Sequence, residues 1–354
     1  MTETIRTSTA KPGPHAHAPS AGGISANGLK GGQFGLLAVV VLGISTIAPA
    51  YTLTSALGPT VNEAGLQLPV IFLIGFIPMI LVSLAYRELN ADSPDSGTTF
   101  TWVTKAFGPW IGWMGGWGLL AANMMFAGVG DTGNGLNNAE NHENIFTALA
   151  SPIMGPFAIL MSLAVLSSSA ASLQSTFMSP SRSLLAMAHY GALPEPFSRI
   201  SRKFATPGFA TVAAGVMSAG FYAVMHVVSE NVLNDTILAL GLMICFYYGL
   251  TAMACTWYFR HSLFNSMRHF VFRLVCPVLG GVGLFVVFVQ TAMDSLAPEF
   301  GSGSEIFGVG LVFILGVGIL ALGAVVMLVM ARTHPGFFRG ETLRQDTPAL
   351  VVPE

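Results

Sequence analysis

The sequence predicts an all-α integral membrane protein with about eight transmembrane helices. Of its 354 residues, 53% are hydrophobic and only 9% are charged, whereas a soluble domain carries about 25% charged residues. Eight stretches approach the roughly 20 mostly apolar residues that a bilayer span requires. The composition excludes an ordinary soluble enzyme and a disordered chain. The net charge of -2 excludes a nucleic-acid binder, which would need a basic excess.

The apolar stretches divide the chain into spans, loops and two tails. The predicted spans lie, in chain order, near Phe34–Leu57, Leu68–Tyr86, Phe107–Val129, Pro152–Leu173, Phe209–Val228, Val232–Phe259, Phe270–Met293 and Ile306–Ala331. Residues 1–33 are polar, rich in Pro, Gly, His and Ser, and lack an apolar core, so they predict a disordered cytoplasmic tail and not a signal peptide. Residues 333–354 predict a second, polar cytoplasmic tail.

The distribution of charge tests the number of spans. With a cytoplasmic N-terminus and alternating sides, all 15 basic residues fall in cytoplasmic segments, and the loops on the other side carry only acidic charge. A wrong number of spans would mix the two groups of residues. By the positive-inside rule, we therefore expect a multi-pass protein of the cytoplasmic (plasma) membrane with both termini inside.

Span one contains a predicted break. Pro49 lacks an N–H group and clashes with the carbonyl four residues before it. One interpretation is a proline kink. The other is a discontinuous helix, whose free N–H groups attract an anion and whose free carbonyls attract a cation, which suits a zwitterionic amino acid. The candidate substrate-binding residues at this break are Gly43, Ser45, Thr46, Ile47, Ala48 and Pro49.

Spans two, three and five offer few polar residues. Glu88 follows Arg87 at the inner end of span two, and His226 lies near the outer end of span five. We interpret Glu88 and His226 as interfacial residues, with a proton relay as the alternative. In span three, Gly112 and Gly116 have the small-xxx-small spacing that favours close contact between membrane helices.

Span four is interrupted by serines. Its apolar part, Pro152–Leu166, has only 15 residues, so Ser167, Ser168 and Ser169 must enter the bilayer. Serines in membrane helices usually bond to their own backbone. The alternative is an oxygen-lined cavity or a sodium site, because sodium prefers hard oxygen ligands.

Spans six and seven contain the three cysteines of the chain, Cys245, Cys255 and Cys276. They have no metal-ligand spacing and are interpreted as small buried hydrophobic residues. The sequence shows no nucleotide loop, metal cluster or Ser/His/Asp constellation. We therefore expect neither an enzyme nor a cofactor. A coupling ion, H+ or Na+, stays open.

Two blocks of sequence resemble the amino acid–polyamine–organocation (APC) permease superfamily. The first block is similar to the pattern Y-x-E-L-x(4)-P-x-(S/A)-G-(G/T)-x-(Y/F), and it comprises Tyr86-Arg87-Glu88-Leu89, Pro94 and Ser96-Gly97-Thr98-Thr99-Phe100. It continues with Phe107-Gly108, Gly112 and Gly116-Trp117. The second block resembles the loop after the eighth helix of the family, and it extends from Ser181-Arg182 through Tyr190-Gly191 and Leu193-Pro194 to Thr206-Pro207.

The resemblance implies an inverted repeat of five plus five helices, the LeuT-like fold. It implies a small-molecule substrate, an amino acid or amine, held between unwound segments of the first and sixth helices. The break in span one corresponds to the first of these segments by position, although the Gly-Ser-Gly cluster of the family is replaced around Ile47-Ala48-Pro49. The serine run corresponds to the eighth helix, which carries a sodium site in some distant relatives.

The resemblance also implies that the fold is incomplete. Matched in order, the chain follows helices one to three of the family and then continues, near Leu119–Gly130, at the end of helix seven and on through helix twelve. About four helices, including the sixth, have no counterpart. Two functions stay open. One is a secondary-active transporter of amino acids or related organic cations in the lipid bilayer, as a homo-oligomer or not. The other is an internally deleted, non-transporting homologue or a subunit that needs a partner chain.

Overall fold

The computed structural model of the chain describes residues 35–47, 67–130, 155, 158–201, 206–228, 232–344 and 346–347. The predicted N-terminal tail lies outside these residues. The described helices and strands are α1 (Leu36–Ile47), α2 (Leu68–Asp92), α3 (Thr99–Phe107), α4 (Pro109–Gly130), α5 (Ala158–His189), α6 (Gly208–Val228), α7 (Val232–Tyr258), α8 (Met267–Asp294), β1 (Glu305–Ile306), β2 (Val309–Gly310), α9 (Leu311–Thr333) and α10 (Pro335–Phe338).

The architecture is that of a helical membrane protein. Within the described residues, five helices are long and apolar enough to cross a bilayer: α2, α6, α7, α8 and α9. Apolar side chains line their outer surfaces, as expected where lipid and not water is the solvent. The prediction of an all-α membrane architecture is therefore confirmed, whereas the number of eight spans stays a prediction.

Helix α4 lies at the centre of the bundle and packs against α3, α5, α6, α7, α9 and α10. Its start is set by the backbone: Gly108 takes a positive φ of 92° that ends α3, and Pro109 opens α4, which are the residue types that favour a helix end and a helix start. Two tryptophans attach α4 to α9, because the indole nitrogens of Trp113 and Trp117 donate to the carbonyls of Gly323 and Ile319 at 3.3 and 2.9 Å.

Helix α8 joins the bundle through an ion-pair network at one end. Glu88 of α2 is buried, and its two carboxylate oxygens accept hydrogen bonds from Arg268 and Arg273, both at 2.9 Å. Arg273 also lies over the ring of Phe259, 4.0 Å from its centroid. The interpretation of Glu88 as an interfacial residue stays a prediction. The structure adds its two partners, which lie 180 and 185 residues away in the sequence. The side chain of His226 lies outside the described residues.

The last span begins later than predicted. Residues 305–310 form a two-stranded antiparallel hairpin, with Phe307 and Gly308 at positive φ in its turn, and α9 starts only at Leu311. Both α8 and α9 contain a five-residue π-helical segment, Val271–Val275 and Ile314–Gly318. The predicted span from Ile306 is corrected accordingly, because the glycines at 308 and 310 favour a turn over a helix.

The predicted polar C-terminal tail is partly buried. Phe337 of α10 is only 1% exposed and stacks on Phe100, with ring centroids 5.5 Å apart, while Phe338 packs against Trp110 and Trp113. We call residues 334–344 and 346–347 the C-terminal segment. It closes the end of the bundle where α3, α4 and α5 meet.

Candidate functional site

A cavity of about 320 Å³ lies between α1, α2, α4, α5 and α7. This volume is at the lower end of the range for small-molecule sites, roughly 300–1,000 Å³. The described lining consists of Thr46, Tyr86, Thr98, Leu119, Ala122, Asn123, Thr176, Ser179, Leu240, Ile244, Tyr247 and Tyr248.

The chemistry of the lining is polar but uncharged. Eight of the 12 described lining residues carry a hydroxyl or an amide, and the other four are aliphatic. None of these 12 is ionisable at neutral pH. A ligand with a large net charge would lose its hydration here without a compensating charge. The described lining therefore suits a small ligand that is neutral overall and carries both polar and apolar groups.

Three tyrosines form one wall of the cavity. Tyr86 meets Tyr248 edge to face, with ring centroids 5.4 Å apart. The rings of Tyr248 and its neighbour Tyr247 are tilted against each other, with ring centroids 4.4 Å apart. Edge-to-face contacts of this kind hold rings in fixed orientations. The wall therefore presents rigid aromatic surface to the cavity.

A cluster of three hydroxyls fixes Tyr86. Its phenolic oxygen lies 2.8 Å from Thr99 Oγ1 and 3.3 Å from Thr251 Oγ1. Thr251 Oγ1 lies within donating distance of both Thr99 Oγ1, at 2.9 Å, and the carbonyl of Tyr247, at 2.8 Å. The cluster joins α2, α3 and α7, so the tyrosine wall is braced by three helices at once.

Helix α1 reaches the cavity through Thr46. The Thr46 hydroxyl donates to the carbonyl of Leu42 at 2.8 Å, and the Thr46 carbonyl accepts from Ser172 of α5 at 3.1 Å. Gly43 is exposed and has open space around it. The side chains of Ser45 and Ile47, and all of Ala48 and Pro49, lie outside the described residues. The choice between a proline kink and a discontinuous helix therefore stays a prediction.

The serine run lies elsewhere on α5. Ser167 is exposed and Ser168 and Ser169 are half-buried, and the described lining of the cavity does not include them. The α5 residues that do line it are Thr176 and Ser179, which share one helix face because they are three residues apart. The serine triplet as a cavity or ion site stays a prediction.

Several residues that line the cavity were not predicted from the sequence. Asn123 is the clearest signal, because it is an amide inside an otherwise apolar predicted span. In the structure its Nδ2 donates to the carbonyl of Leu119 at 2.7 Å. Tyr247 and Tyr248 gave no pattern in the sequence, since tyrosine is common in membrane helices near either interface.

Polar contacts attach the C-terminal segment to the end of α3. Lys105, at the end of α3, donates to Ser93 Oγ at 3.0 Å and to the carbonyl of Thr347 at 3.1 Å. Burial lowers the pKa of Lys105, and the carboxylates of Asp95 and Asp92 oppose this shift. The C-terminal segment is thus attached to α3 by hydrogen bonds as well as by its phenylalanines.

Part of the chain is similar to known proteins. Residues 34–134 match the family model described as amino acid permease. A stretch of 98 residues is 30% identical to the branched-chain amino acid permease BcaP of Lactococcus lactis subsp. cremoris (strain MG1363). This stretch makes up 28% of the present chain and only 21% of that protein. No solved structure matches the chain. The resemblance to amino acid permeases is confirmed by these matches, whereas the absence of four helices stays a prediction.

Proposed function

We propose, because residues 34–134 match the family model described as amino acid permease, that the chain is a secondary-active transporter of amino acids or related organic cations. One observation supports the proposal most directly. Six of the 12 described lining residues, from Thr46 to Asn123, fall inside the matched segment. The part of the chain that carries the family likeness therefore also supplies half of the described lining residues.

The lining narrows the proposed substrate. A zwitterionic amino acid is neutral overall, so it can enter a cavity whose 12 described lining residues include no ionisable group at lower cost than an organic cation. Hydroxyls and the Asn123 amide can bond to its carboxylate and ammonium groups, while Leu119, Leu240 and Ile244 supply apolar contact. We therefore expect amino acids with small or branched apolar side chains to bind better than basic amines.

Binding to the purified chain in lipid nanodiscs tests this proposal. The measurement is the dissociation constant of labelled amino acids with neutral, basic and acidic side chains. Asn123→Leu keeps the size of the side chain and removes its amide, and it should weaken binding at least about tenfold. Asn265→Leu, in an exposed loop, is the matched control and should bind as the wild type does. Wild-type protein that is folded but binds none of the amino acids would refute the proposal.

A second proposal is that the chain binds an amino acid without transporting it, as a shortened homologue or a subunit that needs a partner chain. The family match ends at residue 134, close to Leu119–Gly130, where the resemblance predicts that four helices are missing. In the LeuT-like fold that the resemblance implies, transport requires one helix bundle to move against another around a site at the repeat interface. Uptake of a labelled amino acid into liposomes separates the proposals: uptake by the purified chain alone supports the transporter, and binding without uptake supports the second.

The proposal includes a location in the plasma membrane and the formation of a homo-oligomer. The charge pattern supports the plasma membrane with both termini in the cytoplasm. A homo-oligomer could supply a second surface against α1. Cysteine labelling from either side tests the orientation at two exposed positions, Phe264 before α8 and Met293 in the last turn of α8. Phe264 should be labelled from the cytoplasmic side and Met293 from the opposite side.

A further inference from the structure

The loop before α3 enters the cavity in a strained conformation. Thr98 lines the cavity and has φ 42° and ψ -112°. Positive φ is unfavourable for a β-branched residue, because its Cβ crowds the backbone. Such a conformation persists only where the surroundings hold it in place, and it occurs often at functional sites. The contacts of this loop therefore decide where Thr98 lies in the cavity wall.

Asp95 holds this loop. Its side chain is buried, and Oδ1 accepts from the backbone N–H of Gly97 at 2.8 Å and from Thr101 Oγ1 at 2.7 Å. The N–H of Thr98 donates to the Asp95 carbonyl at 3.2 Å. A side chain at Gly97 would overlap Thr101 and Ala186, so the loop is wedged between α3 and α5. The carboxylate thus fixes the turn that presents Thr98.

The other oxygen of Asp95 connects the loop to the C-terminal segment. Oδ2 accepts from the hydroxyl of Tyr190, just after α5, at 2.7 Å. The Tyr190 carbonyl in turn accepts from Thr342 Oγ1, in the C-terminal segment, at 2.6 Å. Hydrogen bonds to a charged acceptor are stronger than those between neutral groups. A continuous chain of contacts therefore runs from Thr342 through Tyr190 and Asp95 to Thr98.

We propose that Asp95 is a positioning residue of the cavity and that docking of the C-terminal segment controls the cavity through Tyr190 and Asp95. This inference rests on the proposed function only in treating the cavity as the substrate site. When the segment is docked, Thr98 is held in its strained conformation. When it is released, Tyr190 loses a restraint on its backbone and the loop can relax, which moves Thr98 out of the wall.

Thiol labelling tests the coupling without any substrate. In a Thr98→Cys chain, the modification rate by a small water-soluble thiol reagent is followed by mass spectrometry. It is divided by the rate at the native Cys245 of α7, which corrects for general loosening. Tyr190→Phe removes the bond to Asp95 and should raise this ratio about tenfold, and Thr342→Val should raise it about fivefold. Tyr222→Phe on α6 is the matched control and should leave the ratio at its value in the Thr98→Cys chain.

Asp95→Asn provides a second variant if Tyr190→Phe does not fold, since it keeps the size of the side chain and weakens the same bond. The effects of Asp95→Asn and Thr342→Val should also be non-additive, because both act on one chain of contacts. An unchanged ratio in Tyr190→Phe and Thr342→Val would overturn the inference, even if the melting temperature falls. If the ratio rises but the wild-type chain binds no amino acid, the coupling stands and the proposed function fails.

Discussion

Helices α1 and α4 lie in the same family-matched segment but are packed very differently. Helix α4 touches six other helices and contributes buried residues to two apolar clusters. The described side chains of α1 are largely exposed, for example Leu37 at 78%, and the helix packs chiefly against α5. One wall of the cavity is thus fixed by the core of the bundle, and the other depends on a single helix pair.

This difference separates the two walls by function. The α4 and α7 side, with Asn123 and the three tyrosines, is braced by tertiary contacts and is suited to hold a ligand in one orientation. The α1 side, with Thr46, is held by few contacts and can move at low cost in free energy. We therefore expect a ligand, or a second copy of the chain, to change α1 far more than α4. The predictions below test how unequal the two regions are.

The largest effect is expected where the C-terminal segment meets α3 and α4. Phe337→Ala removes a fully buried ring that stacks on Phe100, and it should lower the free energy of unfolding by about 3–5 kcal/mol. The measurement is the unfolding midpoint of the purified chain in detergent. Phe307→Ala is the matched control, since Phe307 is fully exposed in the hairpin turn, and it should leave the midpoint unchanged. Equal midpoints for the two variants would mean that the C-terminal segment is not part of the core.

A smaller loss is expected at the ion-pair network between α2 and α8. Glu88→Gln removes the carboxylate that pairs with Arg273, whose side chain is 16% exposed, and with Arg268, whose side chain is 56% exposed. Removing one partner of a buried ion pair is costly, so the free energy of unfolding should fall by about 3 kcal/mol. The same substitution at Glu195, whose pair with Arg199 is exposed and 3.9 Å long, should cost well under about 1 kcal/mol. Chemical denaturation compares the two, and similar losses would contradict the buried network.

Close packing between α4 and α9 gives the third prediction. A methyl group at Gly323 would overlap the ring of Trp117, so Gly323→Ala should destabilise the chain by about 1–3 kcal/mol. Gly241 lies in α7 with open space around it, so Gly241→Ala should be neutral or stabilise by up to about 1 kcal/mol, because alanine favours a helix. Gly323→Ala should therefore lower the unfolding midpoint, whereas Gly241→Ala should leave it unchanged or raise it. A loss at both positions would mean that the effect does not come from Trp117.

The same contrast explains what the sequence could predict. The composition and the distribution of charged residues along the sequence indicate membrane helices, because a chain that crosses lipid needs long apolar segments. Thr46 was found because Pro49 marks a break nearby, and Tyr86 and Thr98 stand in the family-like motif. These are local signals. They identify elements of the cavity wall without showing how the walls meet.

The remaining features depend on contacts between distant residues. Glu88 meets arginines 180 and 185 residues away, and Phe337 is buried by helices that a polar tail gives no reason to expect. The π-helical segments of α8 and α9 leave no pattern in apolar sequence, since every position there is hydrophobic or glycine apart from Arg273. Burial and pairing of this kind are set by the tertiary fold, so they become visible only in the structure.

The smallest effect is expected at the contact between α1 and α5. Ser172→Ala removes the hydrogen bond to the Thr46 carbonyl. The free energy of local opening of α1 should therefore fall by about 1 kcal/mol. Hydrogen exchange of the amides of α1 should then become about fivefold faster, while α4 keeps its protection. Ser83→Ala on α2 is the matched control, because Ser83 bonds only to its own helix among the contacts described for it. If exchange quickens in α4 as much as in α1, then the two helices respond as one unit and the cavity does not have one fixed and one loosely held wall.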